Sequence, residues 1–468
     1  MATSFRGVNK ATAARFSGPE HTTIRLSRPV PPHAFAAHWL APGATRGLTL
    51  KQRRQLLCLT AASGVVANLE VAERAAGCGP LTYEVFKASA SAAGGGHWHV
   101  CEWLLSLELT WSSSGEVEAA RGGHVGLMEW LQERRPQLRI GQRHVLCQVR
   151  LIKEAAHGCD LATLQRLWLG SGQVRSQDKG RILSAAAGSP TPDWAAKVEW
   201  LEAQGCPTSS AAMAAATALP DVEAAARLRW LRGRGYPVEW HAWQAAAYEG
   251  KMAALQHLLS EVHVDAEDQR RVAVYVAEGG HLAVLQALHL AGQAISPPGS
   301  ARAAAGGGHL HVLAWLVETF GAEAVRLDLE LFHCAARSGS VELLAWLRER
   351  GCPWDAEAYN RAASSGCEAA LEWLAERGCP MPAEGDPYPA VCANGDLAAA
   401  RCLLRLGVPW GPMWSVYQQA STLGAPEPML RWLLEAGCPV HDDERYLEGA
   451  VWVNIGEHNA PDAQPDAN

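Results

Sequence analysis

A short stretch that recurs along the chain constrains the fold more than any other feature of the sequence. Residues 335–355 read AARSGSVELLAWLRERGCPWD, and about 27 residues further on a second copy, AASSGCEAALEWLAERGCPM, begins at Ala362. Both copies run from an Ala-Ala pair through a glycine and a Trp-Leu pair to Gly-Cys-Pro. Self-similarity at this period is typical of a stacked repeat array, so the chain is not expected to consist of separate globular domains.

The order of residues within one copy predicts two short antiparallel helices. Gly339 can adopt the left-handed conformation that ends a first helix, and Ser340 can cap the second. Val341, Leu344 and Leu347 then recur at helical spacing and form one apolar face. The Gly-Cys-Pro that follows stops the second helix, because proline cannot continue it. Neither helix can bury its apolar face alone, so the units are expected to stack.

The pattern continues from about Gln55 to Val440, and about thirteen units can be counted. The predicted fold is therefore all-α, an α-solenoid of about thirteen stacked helix-turn-helix repeats. Three regions are predicted: a non-repeat N-terminal segment (1–50), the repeat array (51–440), and a capping helix with a disordered polar tail (441–468).

The repeated unit resembles the ankyrin repeat. Residues 330–339, ELFHCAARSG, are similar to the family pattern T-P-L-H-x-A-A-x-x-G, without its Thr-Pro. The matching positions are Phe332, His333, Ala335, Ala336 and Gly339. Gly308-His309-Leu310 and Gly280-His281-Leu282 resemble the G-H-L element of the family, whereas Gly-Cys-Pro stands in place of its Gly-Ala. The resemblance covers roughly residues 55–440 and implies a helical stack that binds another protein on its concave surface.

The N-terminal segment allows three interpretations. Residues 5–16, FRGVNKATAARF, resemble the last helix of an F-box-like segment, in which an L-R-x-V-N/C-K pattern is usual. That resemblance would imply a substrate adaptor in ubiquitin ligation. The same stretch is rich in arginine and poor in acids, as organelle transit peptides are, and a plain capping segment is the third interpretation. Pro29, Pro31 and Pro32 predict a linker before the array.

Composition bears on the partners and the compartment. The net charge of −7, from 41 basic and 48 acidic residues, gives no general attraction to nucleic acid. The basic stretch 134–153 lacks the aromatic side chains that stack on bases, so no nucleic-acid partner is predicted. The chain has no apolar run of 18 residues and no visible signal peptide. We therefore expect a monomer without a transmembrane segment, in the cytoplasm or nucleus, with organelle import as the alternative.

Catalytic motifs are absent from the sequence, so no catalytic, cofactor or metal site is predicted, and an enzymatic role is not favoured. The 13 cysteines are an odd number, which favours reduced thiols. Cys352 and Cys379 lie one repeat apart, and valine stands at the same position in Val408. That replacement indicates packing rather than metal ligation. The histidines of the Gly-His pairs, such as His281 and His309, are predicted to cap helices or face solvent.

Tryptophans outside the Trp-Leu position are the candidate recognition residues. Trp240, Trp354 and Trp410 follow the segment that ends a unit, which predicts a place in the inter-unit loops. Asp355 would add a polar rim to Trp354. Exposed aromatics in such loops serve as interface anchors. The predicted function is a scaffold that binds another protein. Two alternatives are a role in lipid metabolism, through a family-level association of similar arrays with sphingomyelin-phosphodiesterase-related proteins, and a purely structural spacer.

Overall fold

Helices account for all the regular structure that we describe. The computed structural model describes residues 25–77, 90–106, 114–134, 144–172, 174–261, 264–411 and 415–440. No strand occurs in these ranges. The helices are α1 (Pro32–Trp39), α2 (Leu50–Ala62), α3 (Val66–Ala76), α4 (Trp98–Ser106), α5 (Ser114–Arg121), α6 (Val125–Arg134), α7 (His144–Gly158), α8 (Leu161–Gly170), α9 (Ser176–Ala187), α10 (Trp194–Ala203), α11 (Ser210–Ala216), α12 (Asp221–Gly233), α13 (Trp240–Tyr248), α14 (Met252–Glu261), α15 (Ala266–Glu278), α16 (Leu282–Leu290), α17 (Pro297–Gly307), α18 (Leu310–Phe320), α19 (Ala322–Val325), α20 (Leu329–Ser338), α21 (Val341–Glu349), α22 (Glu357–Ser365), α23 (Glu368–Glu376), α24 (Pro387–Ala393), α25 (Leu397–Arg405), α26 (Ser415–Thr422) and α27 (Glu427–Glu435).

The helices after α1 form thirteen successive pairs, which confirms the predicted α-solenoid. Repeat 1 is α2 with α3, and repeat 2 is a helix described from residue 90 onward with α4. Consecutive pairs from α5 to α18 make repeats 3–9. After the single turn α19, the pairs from α20 to α27 make repeats 10–13. We call the first member of each pair the A helix and the second the B helix.

Small side chains allow the A helices to stack. From repeat 3 onward each A helix packs on the A helix of the next repeat. Ala335 and Ala336 of α20 are fully buried in this stack. The B helices bury the leucines of the repeat pattern, and Leu344 and Leu347 are likewise fully buried. Neighbouring repeats therefore share one continuous core, because no repeat buries its apolar surface by itself.

The cap predicted for Ser340 is confirmed, and Asp396 caps the B helix of repeat 12 in the same way. The Ser340 hydroxyl accepts a hydrogen bond from the Leu343 backbone N–H (3.3 Å), and the Asp396 carboxylate accepts one from the Ala399 N–H (3.1 Å). Pro32, interpreted from the sequence as part of a linker, instead begins α1, where its missing N–H costs no hydrogen bond. Helix α1 packs on α3 and buries Phe35, so this segment caps the first repeat.

The Gly-His pairs have a different role from the predicted capping. The side chains of His281 and His309 make no cap bond in their own helices. Their Nε2 atoms instead bond to the backbone oxygens of Tyr248 (2.8 Å) and Glu278 (3.0 Å) in the preceding repeats. The capping prediction was wrong because the ring reaches back across the boundary between repeats. In this way it satisfies a carbonyl at the end of an A helix.

The histidine contact also explains why glycine occupies the turn between the A and B helices of the preceding repeat. Gly280 has a φ of +77°, which L side chains rarely adopt. A Cβ at Gly280 would also lie 2.5 Å from His309 Nδ1, and a Cβ at Gly64 would lie 2.5 Å from His97 Nδ1. The glycine of one repeat therefore provides the space for the histidine ring of the following repeat.

Buried cations take over this contact in repeats 5 and 6. Lys197 is fully buried, and its Nζ donates to the backbone oxygens of Ala156 (2.8 Å) and Cys159 (2.9 Å). Arg227 donates from Nη1 to the backbone oxygen of Ala187 (2.9 Å) in the same way. A positive charge is favourable at the carbonyl end of a helix. Burial nevertheless lowers the pKa of Lys197 to about 8.

The boundary histidines also predict a loss of stability in acid. Burial, the largest cause, lowers the pKa of His309 below its usual value of about 6.5, and the nearby rings of His311 and His281 lower it further. A group with a depressed pKa stabilises the fold above its unfolded-state pKa, and this stabilisation is lost as the pH falls through the folded-state pKa. We expect the protection factors of amides in repeats 8 and 9, which correct for the slower intrinsic exchange in acid, to decrease as the pH falls below about 6.5. The variant His309→Gln should show a smaller decrease, and an equal decrease would contradict this assignment.

The first repeat returns to contact repeats 10–12, which closes the array on itself. Arg53 Nη2 lies 2.6 Å from Asp396 Oδ2, and both side chains are 1 % exposed. The Ala369 N–H donates to the backbone oxygen of Arg46 (3.0 Å). Arg54 Nη2 donates to the backbone oxygen of Asn394 (2.6 Å). We call these interactions the closure contact.

Candidate partner-binding channel

A channel of about 1330 Å³ lies between α2 and the exposed ends of several successive A helices. The wall on the α2 side is formed by Thr49, Leu50, Lys51, Gln52, Arg54, Gln55 and Cys58. The opposite wall comes from the A helices of repeats 7–11 and from Asn394, which follows the A helix of repeat 12. The channel therefore exists only because the first repeat has returned to the far end of the array.

Small residues keep the A-helix wall open. Gly306 and Gly307 end α17, and Ser338 and Ser364 lie at the ends of α20 and α22. The serine hydroxyls donate to backbone oxygens within their own helices, at 2.7 Å in both cases. At these positions the helix ends present backbone and small polar groups to the channel.

Charges of both signs line the channel. Arg302 forms an ion pair with Asp328 at 2.9 Å. Lys51, Arg337, Glu278 and Glu330 line the same space, and none of these four forms an ion pair with another described residue. The Arg337 guanidinium lies over Gly306, 3.2 Å from the position that a Cβ would take there. The surface therefore offers unpaired donors and acceptors of opposite charge.

The four predicted partner-binding residues lie outside this channel. Trp240 is 50 % exposed, and it is the first residue of α13 rather than a loop residue. Trp354 and Trp410 are half-buried and contact the next tryptophans along the array, Trp373 and Trp432, with ring centroids 6.0 and 6.3 Å apart. The structure therefore places these aromatics in separate repeats and does not bring them together in one site.

Asp355 is held by a histidine of the preceding repeat. Its Oδ1 lies 2.7 Å from His333 Nε2 and accepts the Glu357 N–H at 3.1 Å. Beside it, the Trp354 ring faces a smaller cavity of about 300 Å³, which Trp373 also lines. The Arg348 guanidinium, which also lines this cavity, lies over the Trp354 ring at 4.0 Å from its centroid.

A ladder of arginine and tryptophan on the B helices was not predicted. An arginine four residues after the Trp of Trp-Leu covers its ring, as Arg134 does on Trp130 (3.9 Å) and Arg350 on Trp346 (3.8 Å). The pairs Trp230–Arg234 and Trp373–Arg377 have the same spacing. The sequence signal is W-L-x-x-R, in which residues i and i+4 share one helix face.

The cysteines of Gly-Cys-Pro pack in the core. Cys352 and Cys379 are buried, and their thiols donate to the backbone oxygens of Asp328 and Asp355, at 3.3 Å in each case. Burial raises the pKa of both thiols to about 12, so at neutral pH they carry no thiolate able to react or bind metal.

One cluster of potential metal ligands is occupied by an arginine. Ligand atoms of Glu368, Glu372 and Cys402 lie within 4.8 Å of one another. Arg405 Nη2 lies 2.5 Å from Glu372 Oε1, 3.6 Å from Glu368 Oε2 and 3.5 Å from Cys402 Sγ. The guanidinium thus supplies the positive charge that a cation would bring.

Comparisons with known proteins do not assign this chain to a family. No family model matches the sequence, and no curated protein matches it. Among solved structures, the chain is similar to a crystal structure of the pentatricopeptide repeat protein PPR10 from maize. The identity is 12 %, the match covers 97 % of this chain and 78 % of that chain, and the TM-score is 0.28, too low to support an argument. Among the described residues, no helix is both long and apolar enough to cross a membrane. The successive helix pairs describe a helical repeat protein.

Proposed function

We propose that this chain is a protein-interaction scaffold of ankyrin type that holds a segment of another protein in the channel between α2 and the A helices. The observation that carries the proposal is the channel itself, with its volume of about 1330 Å³ and a lining that includes charged residues of both signs. Small-molecule sites usually enclose about 300–1000 Å³ and are mostly apolar. A polypeptide segment suits a larger, longer and more polar space.

The chemistry of the lining also suits a polypeptide. Lys51 and Arg337 can bind acidic side chains or backbone carbonyls, and Glu278 and Glu330 can bind basic side chains or backbone N–H groups. A segment that crosses the channel would contact several A helices in succession. Specificity would then come from the pattern of charges along the segment, because a mismatched charge is repelled.

A second candidate surface for the same function contains Trp240, Trp354 and Trp410, and we call it the tryptophan edge. Trp240 is half exposed, and Trp354 faces a cavity of about 300 Å³ with a polar neighbour in Asp355. Aromatic anchors of this kind often dominate the binding energy of an interface. Trp410 would extend the surface toward the end of the array.

Filling the channel tests which surface binds. Ser364 is exposed on the A-helix wall, so Ser364→Trp should occupy the channel without disturbing the core. We expect affinity purification with mass spectrometry to lose its partners with Ser364→Trp and to retain them with Ala324→Trp, which adds the same ring at an exposed site outside the channel. A spacer without a partner would show no difference between the two.

The same measurement on Trp354→Ala distinguishes the second surface. If the tryptophan edge is the interface, this variant should weaken the partner by about 2 kcal/mol or more, while Ser364→Trp binds normally. If the channel is the interface, Trp354→Ala should retain its partner. If both variants retain the partner, neither proposed surface is the interface.

The adaptor role in ubiquitin ligation is a finer proposal and needs its own test. It depends on the F-box-like residues 5–16, which lie outside the described residues. A truncation should end at residue 24, because Arg46 and Leu50 take part in contacts with repeat 11. Loss of ubiquitin-ligase subunits from the purified complex, with retention of the other partners, is the expected result for an adaptor.

A further inference from the structure

We propose that the first repeat is a latch that controls access to the channel. This inference rests on the proposed function, since it concerns the same site. One wall of the channel is α2, and the other wall belongs to A helices at least 180 residues further along the chain. Displacement of α2 would remove one wall of the channel and leave an open groove on the A helices. A folded partner or a long loop could then enter from the side.

Polar groups dominate the contact that holds the latch. Arg53 donates from Nη1 to the backbone oxygen of Ala76 (2.8 Å) and from Nη2 to that of Gly366 (3.0 Å), in addition to its ion pair with Asp396. One arginine thus joins the latch to two turns between A and B helices. The approach is close, because a Cβ on Gly366 would lie 2.8 Å from Leu50 Cβ.

The latch and the opposite wall do not share a hydrophobic core. One apolar cluster runs from Phe35 to Cys159 and contains the buried apolar side chains of repeat 1 except Leu50, which lies at the closure contact. A second cluster runs from Ile152 to Cys438 and contains those of repeats 10–12. The two clusters overlap in sequence only in repeat 4, far from the closure contact. Separation of the latch would therefore leave both cores intact.

The energetics of the ion pair favour reversible opening. A buried ion pair contributes little net stability, because the loss of hydration of both charges offsets their attraction. When the latch opens, Arg53 and Asp396 are both hydrated again. Removal of one charge alone has a different effect, since the other charge is then left buried without a partner. The closed state should consequently be sensitive to single substitutions at this pair.

Asp396→Asn tests the latch without removing the helix cap. The Asp396 Oδ1 atom accepts the Ala399 N–H, and asparagine supports the same cap. Asp160→Asn is the matched control, because Asp160 caps α8 through the Thr163 N–H and takes no part in the closure contact. Both variants lose one carboxylate at the start of a B helix, and only one of them leaves Arg53 unpaired.

A native thiol reports on the opening. Cys367 is fully buried, and its Sγ lies 3.6 Å from the backbone oxygen of Arg46, at the closure contact. Cys379 is a reference in the same repeat, because it is 4 % exposed and bonds to Asp355 instead. The measurement is the rate at which N-ethylmaleimide labels each thiol in the full chain, read by peptide mass spectrometry.

We expect Asp396→Asn to raise the labelling rate of Cys367 at least tenfold while Cys379 stays at the wild-type rate. Asp160→Asn should leave Cys367 unchanged. Equal acceleration of Cys367 and Cys379 would show that repeat 11 unfolds as a whole, which overturns the latch. An unchanged Cys367 rate would overturn it as well. The double variant Arg53→Met with Asp396→Ser removes both charges, keeps a capping hydroxyl, leaves no buried charge unpaired, and should return the labelling rate of Cys367 toward the wild-type rate. Because no partner is present, the outcome is independent of what the channel binds.

Discussion

Leu347→Ala is expected to lower the free energy of unfolding by about 2–5 kcal/mol, the usual loss for a buried leucine. Leu347 lies on α21 and is fully buried between repeats. Its removal leaves a cavity that the surrounding side chains can only partly fill. The matched control is Leu290→Ala, because Leu290 is 86 % exposed at the end of a B helix and should change stability by less than about 0.5 kcal/mol.

The damage from Leu347→Ala should remain local. Repeats contact mainly their neighbours, so stability is approximately a sum over repeats and their interfaces. Hydrogen exchange should therefore accelerate first in repeats 9–11. Uniform acceleration from Gln55 to Val440 would contradict an array of semi-independent repeats.

Gly280→Ala should be nearly as damaging, for two separable reasons. The φ of +77° costs an L residue about 1–2 kcal/mol. In addition, the new Cβ would collide with the His309 ring, 2.5 Å away, and overpacking of this kind costs about 1–3 kcal/mol. The sum is about 2–5 kcal/mol. Chemical denaturation with circular dichroism measures it.

Gly292→Ala separates the two causes within the same repeat. Gly292 has a φ of +73°, and a Cβ there would meet nothing within 4 Å. It should show only the conformational cost of about 1–2 kcal/mol. Addition of His309→Ala to Gly280→Ala should recover part of the loss by removing the ring. Equal losses for Gly280→Ala and Gly292→Ala would show that the ring does not restrict this position.

The solenoid could be predicted from the sequence because its information is local. The helix stop at Gly339, the cap at Ser340 and the apolar face of Leu344 and Leu347 all lie within one repeat and recur. The helices form where these signals place them. Local signals also predicted the burial of Cys352.

The contacts between repeats were harder to predict from the sequence. Gly64 faces His97 after 33 positions and Gly280 faces His309 after 29, so no fixed spacing reveals the pairing. Lys197 did leave a signal, since it lies three residues before Trp200, where apolar Leu343 precedes Trp346. A charge at an apolar position of the repeat indicates a buried partner.

The candidate site could not be predicted at all. Arg53 and Asp396 are separated by 343 positions, and neither stands out from its neighbours in the sequence. The A-helix wall combines small residues at helix ends with charged residues such as Arg337 and Glu330, and none of these forms a recognisable motif in the sequence. Trp240 and Trp354 could be selected from the sequence because tryptophan is a common interface residue. The channel could not, because it forms only when the whole array brings the first repeat back to repeats 10–12.

The closure contact also restricts how this protein can evolve. An open solenoid tolerates the gain or loss of a repeat, because each addition only moves its end. Here the turn that carries Asp396 must reach the position of Arg53 on the first repeat. One repeat more or fewer between them would carry the carboxylate past the guanidinium and leave two buried charges unpaired. The number of repeats between the two residues is therefore fixed by ring geometry, and relatives that keep this arginine and aspartate should also keep the spacing in whole repeats.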